Sequence, residues 1–590
     1  MSEPKFLGKF LIWREKHLPH RQFVYILSFA IGIMSGLAAV LLKNVVHFIQ
    51  HQLKHMVEVD QVNWFYFISP LVGIFLTILF VKYLVKDNIG HGVSKILFAI
   101  SKKNGKIKPH NNYSSLIASS LTVGFGGSVG LEAPIVLTGA SLGSTFSRIF
   151  KMSFKTTVIL IGCGAAGAIA GIFKAPIAAV IFALEVLMLD LTVWSLIPLL
   201  ISSVTGLSVA YFFSDYAKIF TFEYHDPFVL HNIPYFILLG IFCGFASLYF
   251  TRVTMFIESI CAKVKNDYIK WIGGGVLLGI VILFIPPLYG EGYDTLDALL
   301  NGNPFELLSG SIFFGLGNKF WIFTLFLILI LLFKVVATAL TTGSGGIGGI
   351  FAPSLFIGGI SGYFLARVIN LFDFINVSER NFALVGMAGM MAGVMHAPLT
   401  AIFLIAEITG GYGLFLPLMI TSTFAFITIM YFQKHSIYHI RLAQRGELLT
   451  HHKDQTVLRL MDIEKVIEKD FIKVSPDDKL DKLVKAISQS KRNIFPIVKD
   501  EMLVGIVLLD DIRHIIFNQD MFDCTYVRDL MTLPPTYVSP KDQMEEVMEK
   551  FEETGSWNLP VLENGKYIGF LSKSKLFSVY REWLIHLSED

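Results

Sequence analysis

From about residue 23 to about residue 432 the chain alternates apolar runs with short polar breaks. The clearest runs cover residues 23–42, 64–84, 191–213, 234–250 and 321–332, and several are long enough to span a membrane, which takes roughly 20 residues of helix. Residues 134–142, 177–189 and 399–405 fall short of that length, so they read as half-helices or tilted segments buried by their neighbours. After about Arg445 the apolar stretches shorten and Lys and Asp become frequent, the alternation expected of a soluble α/β segment. There the pattern predicts helices over 480–490 and 544–554, each followed by two strands, at 495–498 and 504–508 and at 559–562 and 568–572.

Both regions repeat internally. Gly124, Gly126, Gly127, Gly130, Ala133 and Pro134 return 219 positions later as Gly343, Gly345, Gly346, Gly349, Ala352 and Pro353, with Glu132 in register with Phe351. At nearly the same interval, Ala170, Gly171, Ala175, Pro176, Ala179 and Glu185 match Ala392, Gly393, Ala397, Pro398, Ala401 and Glu407. Membrane proteins built from two related halves often place their substrate where interrupted helices of both halves meet, so the site is expected near these glycines. In the tail, Val474, Ser475 and Pro476 return as Val538, Ser539 and Pro540, Pro496 as Pro560 and Gly505 as Gly569, each 64 positions on.

Composition agrees with this reading: 53% of residues are hydrophobic, 16% are charged, 52 are Phe and the mean hydropathy is +0.60. That is a membrane protein's composition. Lys5, Lys9, Arg14, Lys16 and Arg21 before the first run, and Lys102, Lys103, Lys106 and Lys108 after the second, favour a cytoplasmic side for both. No cleavable signal peptide is evident. A net charge of +3 is too small to imply a nucleic-acid partner. Cys163, Cys243, Cys261 and Cys524 form neither a metal spacing nor a disulfide framework and are expected to be core thiols. The organisation that follows is a cytoplasmic segment over 1–22, a transmembrane domain over 23–447 with halves at about 23–213 and 234–432, and a tail module over 448–590 with units at about 459–518 and 525–586.

The start of a helix leaves backbone N–H groups unpaired and carries about half a positive charge, so it holds an anion without needing Lys or Arg. Both glycine-rich stretches, 124–134 and 343–353, end in proline, which favours the first helical turn. Two such starts aimed at the membrane centre imply a small, weakly hydrated anion. Close helix packing by small residues would explain the glycines, but not the repeat, and not Glu132, a costly carboxylate in an apolar setting. Gly343, Gly345 and Gly348 satisfy a dinucleotide fingerprint, yet they follow an apolar run, and neither glycine stretch carries a P-loop Lys. An enzyme is not expected, because no segment gathers a His/Cys cluster, a Ser-His-Asp set or paired catalytic carboxylates; no metal site is expected either. A divalent-cation channel would need acidic lining residues, for which only Glu132, Glu185, Asp190 and Glu407 are candidates.

The segments "GSVGLEAP" around Glu132, "GGIGGIFAP" around Ile350 and Phe351, "AEITGGYGLFLPLM" from Ala406 and "HSIYHIRLAQRG" around Tyr438 together resemble the CLC family of chloride channels and proton/chloride antiporters. The tail, with "FPIV" before "LVGIVLLDDI" and "LPVL" before "YIGFLSKSKL", resembles a tandem CBS-domain pair. The resemblance implies a mostly α membrane fold, an inverted-repeat bundle of many tilted and broken helices with a cytoplasmic α/β CBS pair. It implies a homodimer with one pore per subunit, in a lipid membrane, expected to be a bacterial plasma membrane with both the N-terminus and the CBS tail cytoplasmic. By the same resemblance Glu132 is the gating glutamate, backbone N–H groups at Ile350 and Phe351 bind the anion, and the Tyr438 hydroxyl coordinates a central site. No cofactor is required; an adenine nucleotide at the CBS pair is a candidate ligand.

Three departures from the family pattern bear on function. Val186 stands where the antiporters carry an internal proton-transferring glutamate, with Glu185 one residue before it, about 100° away around a helix. This leans toward passive conduction, with Glu185 as a candidate substitute and proton-coupled antiport as the alternative. In "GHGVS", His91 replaces the serine that normally helps coordinate the central anion; an imidazole N–H could still donate to it. The CBS nucleotide pattern is incomplete, since the first unit keeps Asp511 but has Leu508, and the second keeps Ser572 but has Lys575. A structural role for the pair is the simpler expectation.

Overall fold

The computed structural model describes residues 14, 16–54, 64–90, 92–189, 192–213, 228–311, 313, 320–372, 376–443 and 461–588. His91, Asp190, Lys5 and Lys9 lie outside the described residues. Contacts divide the chain into two units, Met1–Leu449 and Thr450–Asp590.

The first unit is helical, and among its described residues nine helices are long and apolar enough to cross a membrane. Three shorter apolar helices, Ser114–Gly124, Pro176–Glu185 and Pro398–Ile408, are packed among them. The expected short segments at 177–189 and 399–405 thus form short helices, whereas the one at 134–142 is part of an 18-residue helix, Glu132–Ile149. Its apolar run looks short because Glu132, Ser and Gly residues interrupt it, but those small residues sit against the Phe154–Phe173 helix and are buried. The first span is also longer than its apolar core, at His20–Lys54.

The two halves fold alike wherever their sequences match. Phe154–Phe173 begins after Ser153, whose hydroxyl accepts from Thr156 N–H, and Glu379–Met395 begins after Ser378, which accepts from Asn381 N–H; such caps satisfy an otherwise unpaired amide. Both helices end on a left-handed residue, Lys174 (φ 58°) and His396 (φ 56°), and both are followed by a proline-led short helix. Gly126 (φ 88°) and Gly345 (φ 105°) turn the chain at equivalent places, in a conformation that side-chain-bearing residues avoid. The core is one continuous apolar cluster containing the Phe173, Phe182, Phe351 and Phe356 rings.

In the second unit the predicted elements appear at Leu480–Gln489 and Met544–Thr554 as helices and at β1 Ile494–Lys499, β2 Met502–Leu508, β3 Asn558–Glu563 and β4 Lys566–Ser572 as strands. The strands form a sheet of order β1-β2-β4-β3. Its halves join antiparallel at Met502 and Lys566, residues 64 apart, so equivalent strands meet at the local symmetry axis. Phe471, Ile494, Ile506, Tyr567 and Phe570 fill that junction. Cys163 and Cys243 are buried as expected, but Cys261 is half-buried and Cys524 exposed, so those two are not core thiols. Cys524 is on the water-facing soluble unit, and Cys261 ends a helix near Lys263.

Candidate functional site

The halves of the membrane unit touch through their glycines. Gly130 N–H donates to the Gly349 carbonyl at 2.9 Å, and Gly349 N–H donates to the Gly130 carbonyl at 2.7 Å, an antiparallel bridge between residues 219 positions apart. One residue on, Leu131 and Ile350 adopt nearly the same backbone (φ −89°, ψ −11° and φ −93°, ψ 0°) and start the Glu132–Ile149 and Phe351–Ile369 helices. Close approach is what excludes a side chain here. A Cβ on Gly130 would meet Ala352 Cβ at 2.9 Å and N at 3.1 Å, and a Cβ on Gly349 would meet Ala133 Cβ at 2.8 Å and N at 3.1 Å. Two helix starts, each with unpaired N–H groups and the positive end of its dipole, therefore lie side by side in an apolar surround.

Against this symmetric backbone the side chains differ. Phe351 turns into the apolar core, its ring 5.0 Å from that of Phe173 and 6.4 Å from that of Phe182. Glu132, only 2% exposed, turns its carboxylate to the junction. Its Oε1 accepts from the Tyr293 hydroxyl at 2.7 Å. Its Oε2 lies against Gly130, faces the backbone N–H of Ala352, and takes no side-chain hydrogen bond. The carboxylate thus occupies an amide-lined place at the helix starts, the kind of place that suits a negative charge.

Ile350 and Phe351 are buried at the second helix start. Tyr438, the second residue of the Ile437–Ala443 helix, is also buried. Its carbonyl accepts from Ser94 Oγ at 3.2 Å. Arg441, on the same short helix, donates to Glu258 at 2.6 and 3.2 Å, and Glu258 also accepts from Thr342 Oγ1 at 3.3 Å. Because Thr342 precedes the second glycine stretch, this carboxylate ties the Tyr438 helix to the loop that sets Ile350 and Phe351.

Glu185 is engaged elsewhere. Its oxygens accept from Leu399 N–H at 3.1 Å, Thr400 N–H at 2.8 Å and Thr400 Oγ1 at 2.6 Å, at the start of the Pro398–Ile408 helix. Glu407 returns the arrangement, accepting from Ile177 N–H at 3.0 Å and Ala178 N–H at 2.8 Å at the start of Pro176–Glu185. Each carboxylate caps the other's helix. Val186 is buried and its N–H donates to the Phe182 carbonyl at 2.9 Å. In the soluble unit, Asp511 is exposed in the Leu509–Ile512 turn. Ser572 is buried, and its hydroxyl accepts from Lys575 N–H at 3.2 Å at the start of the last helix.

Four residues near Glu132 escape the sequence reading: Tyr293, Glu291, Lys43 and Lys334. Tyr293, Glu291 and Lys43 line, with Glu132, a cavity of about 580 Å³. Glu291 accepts from Leu131 N–H at 3.1 Å. Lys334 is fully buried, donates to the Gly290 and Leu288 carbonyls at 2.9 and 3.3 Å, and lies 4.7 Å from the centre of the Phe356 ring. Lys334 had a signal in the sequence, being the one charged residue in a 24-residue apolar helix. Tyr293 had none, since nothing in a linear pattern ties it to a residue 161 positions away.

A family model described as voltage gated chloride channel matches residues 72–429, and CBS domain models match residues 463–518 and 527–582. The H(+)/Cl(-) exchange transporter ClcA of Vibrio cholerae is 28% identical over 424 residues, covering 68% of this chain and 86% of that protein. Among solved structures, a slow cyanobacterial Cl-/H+ antiporter aligns with a TM-score of 0.62 at 24% identity over 72% of this chain and 98% of its own. A eukaryotic CLC transporter aligns with a TM-score of 0.60 at 16% identity over 94% of this chain and 97% of its own.

Proposed function

The chain belongs to the voltage-gated chloride channel family, and from that premise we propose that it exchanges chloride, or a similar small anion, for protons across a membrane. Glu132 is the gate. Backbone N–H groups at Ile350 and Phe351 hold the anion, the Tyr438 hydroxyl serves the central position, and His91 takes over the donor role of the serine it replaces in the family pattern. The protein works as a homodimer with one pore per subunit and with its N-terminus and CBS tail in the cytoplasm.

The observation that carries this reading is the Glu132 carboxylate at the junction of two paired helix starts. Ionised, it competes with the anion for the same amides. Protonated, it loses that affinity and yields the place, so each anion passage is tied to a proton on one side chain. Coupling is supported further by the ClcA relative, which is named an exchange transporter. Passive conduction is favoured only by Val186, which cannot carry a proton. Glu185 is committed to capping a helix, so we assign it no part in proton transfer.

The test is a joint flux measurement on purified protein in liposomes. Under an outward chloride gradient, protons should move inward against their own gradient. Chloride flux with no uphill proton movement would replace exchange with passive conduction.

A further inference from the structure

Two carboxylates share the start of the Glu132–Ile149 helix. Glu132 is its first residue, and Glu291 accepts the N–H of Leu131, the residue just before it. Glu291 comes from a turn between Gly290 (φ 62°) and Gly292 (φ 93°), a bend that points a side chain back at the helix start. Both carboxylates line the 580 Å³ cavity, Glu291 half-buried and Glu132 almost wholly buried with an Oε2 that takes no side-chain hydrogen bond. Glu291 is therefore the more open of the two to the cavity, and Glu132 the one whose Oε2 reaches the paired helix starts.

Other charges face the pair from every side. Lys43 and His47 come from the first helix, Asp294 and Glu306 from the loop side of the cavity, and Lys334 from the Phe320–Gly343 helix. Tyr293 bonds Glu132 itself. Burial and the neighbouring Glu132 charge push the Glu291 carboxyl up to about 8, against the Leu131 N–H and the Lys43 and Lys334 charges. Two carboxylates this close do not ionise independently; they titrate as a pair and hold a proton between them over a range where one alone would have lost it.

We propose that Glu291 and Glu132 form a two-carboxylate outer proton site, in which Glu291 holds a proton at the cavity and recharges Glu132 after Glu132 has released its own. The inference rests on Glu132 being the gate. In the step, the O–H bond at Glu291 breaks and one forms at Glu132. Glu291 then takes a new proton from solvent in the cavity. Lys43 and Lys334 keep the charged form of the pair tolerable, so the site empties as well as fills.

The experiment is the pH dependence of chloride flux and coupled proton flux by the full-length protein in liposomes. Parent, E291Q, K43M, E132Q and E132Q/E291Q would be compared. E291Q keeps the oxygen that accepts from Leu131 N–H but cannot hold an exchangeable proton or a charge. It should move the half-maximal point of the chloride profile toward acid by about one pH unit, the size expected for loss of a close like charge. K43M should move it toward alkali. In E132Q, which has no gate proton, adding E291Q should change nothing. An E291Q profile that matches the parent's, while E132Q is flat, overturns the pair and leaves the gate intact. An E132Q profile that matches the parent's overturns the gate and the pair together. Opposite shifts by E291Q and K43M cannot come from a purely structural role for Glu291.

Discussion

Two of the places where the halves of the membrane unit meet through equivalent residues differ in one respect. Glu185 and Glu407 match, and each does for its partner's helix what the partner does in return. At the glycine bridge the backbones match as closely, and the would-be Cβ contacts with the alanine of the other half match too, but Glu132 faces Phe351. Where chemistry is symmetric, the residue is satisfied by the fold and has nothing left over. Where it is broken, one half has a carboxylate oxygen without a side-chain partner, beside amides that a second anion could use. Symmetry thus separates a carboxylate fully engaged in holding helices from one that keeps an oxygen without a side-chain partner. The soluble unit gives the symmetric case again, since β2 and β4 join at residues 64 apart over a cluster of Phe471, Ile494, Ile506, Tyr567 and Phe570.

The largest expected effect comes from breaking the asymmetry itself. E132Q should abolish coupled proton flux and leave chloride flux flat with pH, measured in liposomes; a pH-dependent E132Q would remove Glu132 from the gate. Next comes the pair G130A and G349A. A Cβ at either position meets an alanine of the other half, so both should lower thermal stability, by about 1–3 kcal/mol for an overpacked site. Only at Gly130 would the new carbon also collide with Glu132 Oε2. G130A should therefore change the pH profile as well, and G349A should not; equal profiles would mean that the carboxylate does not rest where the amides meet.

Tyr293 donates to Glu132 Oε1 and so favours its ionised form. Y293F removes that bond, so the gate should accept its proton more readily and the chloride profile should shift toward alkali, by less than E291Q shifts it toward acid. No shift in Y293F would leave the hydroxyl without a role in gating. For the symmetric meeting, E185Q and E407Q should each weaken a charge-assisted cap by about 1–2 kcal/mol, seen as lowered thermal stability, with the proton-to-chloride ratio unchanged. A changed ratio in E185Q alone would make Glu185 a proton carrier and break the equivalence. The smallest effect is expected in the CBS pair: titrating the full-length protein with ATP, ADP or AMP in a calorimeter should give no binding heat, because neither unit keeps both nucleotide-contacting positions. A saturable heat lost in D511A would show that one half-complete site suffices.

The sequence by itself determined a great deal, for a physical reason. A membrane leaves backbone groups no water to bond to, so interrupted apolar helices with glycine and proline at fixed intervals have few ways to fold. That made the repeat, the helix starts at Glu132 and Phe351 and the short helices at Pro176 and Pro398 legible in advance, while in the soluble tail the apolar alternation and the 64-residue repeat did the same for all four strands. Glu132 stood out because burying a carboxylate is costly wherever it lands. What only the tertiary structure decided were pairings across long separations. Glu185 and Glu407 looked like one more repeated acid until each was seen at the other's helix start. Tyr293 and Glu291 reach the Leu131–Glu132 corner from about 160 positions away, and a linear pattern records which side chains are costly to bury but not which partners come to meet them.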